Sequence, residues 1–216
     1  IPALRSVLTT WGGINQVVTQ YPGENFGHWF PGTFDQVLLD APCSMESLRP
    51  TANHPARSTT SDERLRLQER QIELLISGLC ALKTGGEMVY ATCSLAPEED
   101  EAVLESVLKA FPGTFSITDR SDKFSFHTRG LTEFNGQHYS PALQNSLRLW
   151  PHLTGMSGFF CALLTKNKPV SRQSETPPQR DFFKTDLQPT TPDLYTQVNQ
   201  QFEENYGFCL NGILHD

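Results

Sequence analysis

The sequence predicts an α/β fold in which parallel strands alternate with helices, and three observations carry that expectation. Residues 34–41 hold a continuous Val37-Leu38-Leu39 core, which suits a strand covered on both faces. Residues 87–94 read as a second buried strand, and between the two lies a long segment with Leu65, Ile72, Leu75, Ile76, Leu79 and Leu82 at helical spacing. After the second strand, Pro97 opens another amphipathic segment whose inner face is Val103, Leu104, Val107, Leu108 and Phe111. Strand, long helix, strand, helix is a βαβα unit.

The remaining elements fall into place around that unit. Residues 3–10 read as a helical end stopped by Gly12 and Gly13, and residues 15–19, with Val17 and Val18, as a short strand. Ser44 to Thr60 is a polar stretch with Pro50 and Pro55, too long for a tight turn and therefore a candidate functional loop. Thr60 followed by Glu63 is the pattern in which a hydroxyl and a carboxylate cap each other, so the long helix should start there, run to Lys83 and end at Gly85-Gly86. Residues 115–118 and 158–164 are the last strand candidates of the main body. From Lys166 to Pro192 the chain is polar, with five prolines, and reads as a linker. Residues 193–205 look helical and 208–214 could be a strand. The expected organisation is thus a body over 1–166, a linker over 167–192 and an extension over 193–216.

Composition narrows the function classes. With 216 residues, 38% hydrophobic and 19% charged, the chain suits a soluble globular domain with a short extension. No apolar run approaches the roughly 20 residues that cross a bilayer. The formal charge of -7 argues against a general nucleic-acid coat, but it is unevenly spread. Arg49, Arg57, Arg64, Arg66 and Arg70 outnumber the acids around them, whereas Glu98 to Glu105 holds five acids and no base. Cysteines 43, 80, 93, 161 and 209 have no zinc spacing and make an odd number, so free thiols in a cytoplasmic, metal-free protein are expected.

Chemistry collects at the two strand ends. Asp40 and Cys43 follow the first strand, and Cys93 ends the second, where an open α/β sheet places its reactive groups. A thiol beside a helix start can be activated. Two thiols and an acid suit methylation at C5 of a pyrimidine. A thiolate adding to C6, with acid assistance, makes C5 nucleophilic, and a base must later remove the C5 proton so that the thiolate can leave.

Asp40-Ala41-Pro42-Cys43 and Thr92-Cys93-Ser94, with Gln71 before the second strand and Gly85-Gly86 leading into it, resemble the RNA (cytosine-5) methyltransferases of the Nol/Nop/Sun family. Arg148-Leu149-Trp150-Pro151-His152 followed by Gly158-Phe159-Phe160 resembles it too, and the likeness spans about residues 3 to 166. It implies the Rossmann-like S-adenosylmethionine-dependent methyltransferase sheet, mostly parallel with a terminal antiparallel pair. Cys93 would be the nucleophile on C6, Cys43 would assist product release, and Asp40 would contact the base edge. Asp40 and Pro42 would lie beside the cofactor. The substrate would be ribosomal or transfer RNA, met by Arg57, Arg49 and His152, and the protein a monomer. The family's glycine-rich cofactor loop and the acid that follows its second strand are absent, so the chain is expected to begin just before the third strand, without the first two. On its own it should bind S-adenosylmethionine weakly and be poorly stable. The competing expectation is a catalytically incompetent relative that serves as an RNA-binding module.

Other features have plainer readings. Cys80 and Cys161 lie within apolar runs and suit the core. The acids from Glu98 to Glu101 suit a solvated helix start rather than a metal site. Trp11, Trp29 and Trp150 suit packing.

Overall fold

Thr60 and Glu63 cap each other as their spacing predicts: the Glu63 amide donates to Thr60 Oγ1 at 3.2 Å and the Thr60 amide to Glu63 Oε2 at 3.1 Å. Such a cap contributes about 1 kcal/mol. The computed structural model describes residues 2–13, 16–48, 58–124, 127–170, 175–178 and 191–207. Its regular elements are α1 (Pro2–Thr10), α2 (Phe26–Trp29), β1 (Phe34–Asp40), α3 (Ser61–Ala81), β2 (Leu82–Thr92), α4 (Glu101–Ala110) and β3 (Phe115–Thr118). They continue with β4 (Thr128–Arg129), β5 (Glu133–Phe134), β6 (Gln137–His138), β7 (Leu147–Leu149), α5 (Pro151–Thr154), β8 (Phe159–Lys166) and α6 (Pro192–Tyr206).

The main sheet is held by one parallel pair and several antiparallel ones. β1 pairs β2 in parallel, with Asp40 opposite Ala91. β2 pairs β8 antiparallel, with Tyr90 opposite Ala162. The far edge of β8 is shared, its later half by β3 and its earlier half by β7, which carries β4 in turn. Because β8 runs against both β2 and β3, the strands β1, β2 and β3 all point the same way and β8 is inserted reversed between two of them. With β7 running the same way too, four of the six strands share one direction, which is the mostly parallel sheet expected, and β8 supplies the antiparallel pairing. β5 and β6 form a separate hairpin closed by Asn135 and Gly136, both at positive φ as a two-residue turn requires.

One face of the sheet holds the core. Met88 and Tyr90 of β2, Phe160, Ala162 and Leu164 of β8, and Ile117 of β3 point to it. Leu75, Ile76 and Leu79 of α3 and Val103, Leu104 and Val107 of α4 cover them. The opposite face is less covered among the described residues: Val89, Cys161 and Leu163 are half-buried. Leu38 is 75% exposed, so the expected double coverage of the first strand does not hold.

Other expectations are corrected as well. Residues 16–19 form no strand: no described strand lies beside them to complete a ladder, and Val17 is 89% exposed. Trp11 is 85% exposed rather than packed, whereas Trp29 meets Tyr21 edge-on at 5.4 Å. α3 ends at Ala81, and the chain is already extended when it reaches Gly85-Gly86. Gly86 is required there because a Cβ would sit 2.7 Å from the Asp35 carbonyl oxygen of the neighbouring strand. α4 begins at Glu101, with residues 97–100 in a turn. The strand expected over 208–214 lies outside the described residues.

A second unit begins at Pro177. Its helix α6 has Thr191 as N-cap, accepting from the Leu194 amide at 3.3 Å, and Gly207 in the left-handed conformation at its C-terminal end. Among the described residues, no helix is long and apolar enough to cross a membrane.

Candidate active site

The parallel ladder between β1 and β2 brings the two cysteine segments together. It extends one residue past β1, where the Ala41 amide donates to the Ala91 carbonyl at 2.9 Å. Both segments then leave the sheet side by side, and Cys43 Sγ lies 3.1 Å from Cys93 Sγ. Both thiols are half-buried and neither is in a disulfide. Burial and the contact with Cys93 push the Cys43 thiol up to about 12, against a Met45 amide that favours the thiolate. Cys43 therefore keeps its proton at neutral pH. Met45 holds a positive φ of 56°, an uncommon conformation for a residue with a side chain, in the loop that aims Cys43.

Asp40 ends β1 three residues before Cys43, exposed, and among the described residues nothing hydrogen-bonds its carboxylate. Pro42 stands between them, its carbonyl accepting from Gln71 Nε2 at 2.8 Å. His152 is exposed on α5, with its ring 6.0 Å from that of Trp150. The turn after α5 does reach the cysteine segments. The Gly158 amide donates to Ser47 O at 3.1 Å. A Cβ on Gly158 would meet Ser47 Cβ at 2.6 Å and Leu95 Cδ1 at 2.7 Å, so the residues after both cysteines pack on it. Gly158→Ala is expected to destabilise by about 1–3 kcal/mol through this overpacking, read as a lower midpoint in urea unfolding.

Arg49 and Arg57 lie outside the described residues. Of the other arginines, Arg64 is bound to Glu46 at 2.8 Å and Arg70 to Glu24 at 2.8 Å. Arg66 is exposed on the rim of an open groove of about 310 Å³ that also takes in Cys43, Ser44, Thr59, Glu63 and Arg70. The larger hollow of about 500 Å³ sits at the opposite end of the two strands, beside Phe34 and Gly86, and contains neither cysteine.

The acids after Cys93 are where the sequence reading fails most. Glu99, Asp100 and Glu101 have no exposed surface, and they form the buried floor of the site. Glu99 accepts from the Ser44 amide at 2.8 Å and from Ser94 Oγ at 3.2 Å. Asp100 accepts from Thr92 Oγ1 at 2.6 Å, and burial holds its carboxyl well above the usual carboxylate range. Glu101 accepts from the Leu131 amide at 2.8 Å and is clasped by Arg148 through Nε at 2.7 Å and Nη2. Arg148 also reaches Asp100 at 3.3 Å and the Leu95 carbonyl at 3.0 Å, under the rings of Trp150 and Phe160. Trp150 thus packs on a cation. Nothing near the acid run in the sequence points to this arginine, which lies on β7, far along the chain. Among the described residues, no group of three His, Cys, Asp or Glu side chains is arranged to hold a metal.

The profile of the family described as 16S rRNA methyltransferase RsmB/F matches residues 3–165. The chain belongs to that family. Its similarity to members extends across kingdoms. It is 29% identical over 211 residues to ribosomal RNA small subunit methyltransferase F of Shewanella woodyi, covering 97% of this chain and 41% of that protein. It is 36% identical over 171 residues to the 28S rRNA (cytosine(4447)-C(5))-methyltransferase of Homo sapiens, covering 76% of this chain and 20% of that one. The chain therefore spans less than half the length of these curated relatives. A solved methyltransferase homolog from Pyrococcus horikoshii superimposes with a TM-score of 0.63 at 32% identity, over 76% of this chain and 49% of that structure. The RsmB/F match spans both cysteine segments, α3, Arg148 and all of β8 but its last residue.

Proposed function

We propose that this RsmB/F-family chain carries the catalytic part of an S-adenosylmethionine-dependent RNA cytosine-C5 methyltransferase acting on ribosomal RNA. The observation that carries the reading is the pair of thiols 3.1 Å apart at the ends of adjacent parallel strands. Cys93 is the nucleophile. With Cys43 holding its proton, the sulfur free to attack C6 of the cytosine is that of Cys93. Asp40, exposed at the end of β1, meets the edge of the base as addition proceeds. Once C5 carries the methyl group, elimination follows: a base takes the C5 proton, the C5–H electron pair restores the C5=C6 double bond, and the C6–S bond breaks with its pair returning to Cys93. Cys43 assists that release.

The end of β1 fits one edge of a cofactor site, because the Asp40 carboxylate is exposed and unengaged by described residues. Asp40 and Pro42 would hold the methyl donor there, and S-adenosylmethionine supplies the electrophilic methyl group. Arg49, Arg57 and His152 are proposed RNA contacts, with residues 1–166 as catalytic body, 167–192 as linker and 193–216 as an extension. A nucleophilic thiol must stay reduced, which goes with a cytoplasmic setting.

Trapping tests the reading. With RNA containing 5-azacytidine, the full-length protein is expected to form a covalent adduct that survives denaturing gels and disappears in Cys93→Ala. In Cys43→Ala, release is blocked, so a covalent complex with ordinary RNA should accumulate. Absence of both adducts overturns the proposal.

A further inference from the structure

Glu99 has no exposed surface, and its two carboxylate oxygens accept four hydrogen bonds. Oε2 takes the Ser44 amide at 2.8 Å and Gln71 Nε2 at 3.2 Å. Oε1 takes Ser94 Oγ at 3.2 Å and Arg64 Nη1 at 3.2 Å. Ser44 is the residue after Cys43, and Ser94 is the residue after Cys93. One buried anion therefore bonds the neighbour of each thiol, one arm per oxygen. Gln71 adds a third hold: the same Nε2 donates to the carbonyl of Pro42, the residue before Cys43. Its own Oε1 is buried with no partner among the described residues, a cost a free amide would avoid by turning over. The two arms also touch directly, Ser44 Oγ donating to Ser94 Oγ at 3.3 Å.

We propose that Glu99 is a positioning residue that sets the separation of the two site thiols, acting through Ser44 and Ser94. This rests on the reading of Cys43 and Cys93 as a functional pair. Glu99 touches neither thiol, so it acts only through the segments that carry them. Its charge alone is not the point, since Arg64 has a second acid in Glu46 at 2.8 Å. What the site needs is two acceptor oxygens facing opposite ways. A glutamine of the same size has one acceptor and one donor, so its NH2 must face either the Ser44 amide and Gln71 Nε2 or the Arg64 guanidinium, donors all, and one side of the cradle must break.

The separation can be read without any methylation. In the chain as it stands, diamide takes two electrons and two protons from a close pair of thiols, leaving a disulfide and the reduced hydrazine. The Cys43–Cys93 disulfide is expected to form readily in the parent chain and about tenfold more slowly or worse in Glu99→Gln, the scale set by losing a charged hydrogen bond. Glu99→Asp, which keeps two acceptors on a shorter stem, should fall between. Alkylation of Cys161 on β8 reports the fold and should stay unchanged. A Glu99→Gln chain with unchanged Cys161 alkylation and disulfide formation within twofold of the parent overturns the proposal. If Glu99→Gln does not fold, Ser94→Ala decides: it removes one arm only, and a rate within twofold of the parent is again fatal. Failure of RNA trapping with a normal disulfide series would sink the methyltransferase reading and leave this one standing.

Discussion

Arg148→Met is expected to destabilise the chain by about 3–5 kcal/mol, the loss typical when one partner of a buried ion pair is removed. Arg148, Asp100 and Glu101 have no exposed surface, and the guanidinium is the counter-charge that both carboxylates share. Methionine fills much of the space but leaves two buried acids and the Leu95 carbonyl without their donor. Adding Glu101→Gln should recover part of the loss by removing one of the stranded charges. The pH dependence has a definite sign. Burial already raises the Asp100 carboxyl well above its ordinary 3.8, with Arg148 the first influence pulling it back. A carboxyl raised in the folded state lowers stability as pH climbs from its unfolded pKa through its folded one. Without Arg148 the folded value rises further, so the difference between variant and parent should be large at pH 7 and shrink as pH falls towards 4. Urea unfolding at the two pH values measures it. An equal difference at both would show that the cation does not serve these acids.

This network marks the boundary of what could be read along the chain. The capping pair of Thr60 and Glu63 was legible because both partners lie within one turn. β3 and β8 were legible as apolar runs, and the meeting of Cys43 with Cys93 followed from two parallel strands ending together. Glu99 to Glu101 was not. Three successive acids read as solvated, since an isolated buried charge is prohibitively costly. The partners that make burial possible come from far away: Arg64 is 35 residues before Glu99, and Arg148 is 47 residues after Glu101. No local pattern shows such a match. Val17 failed for the opposite reason. Its apolar character suits a strand, but a strand exists only with a neighbour to bond, and no described strand flanks residues 16–19.

Cys43 in the folded chain is expected to react with iodoacetamide at pH 8 roughly a thousandfold more slowly than the same cysteine in the denatured chain. Only the thiolate is alkylated, and at a pKa of about 12 roughly one molecule in ten thousand carries it at that pH, against about a tenth or more of ordinary thiols. Burial is the first cause, the hydrogen bond with Cys93 the second, and the Met45 amide offsets them only in part. Initial rates resolved by peptide mass spectrometry should rise about tenfold per pH unit between 7 and 11, with no plateau in that range. The linked effect on stability has the sign of an acid raised on folding: it is absent below the unfolded thiol pKa near 9 and grows unfavourable as pH rises from there towards 12. Equal labelling of folded and denatured Cys43 at pH 8 would sink this assignment. It would also remove the reason for giving the two thiols different tasks, because that division rests on Cys43 holding its proton 3.1 Å from a sulfur that must act without one.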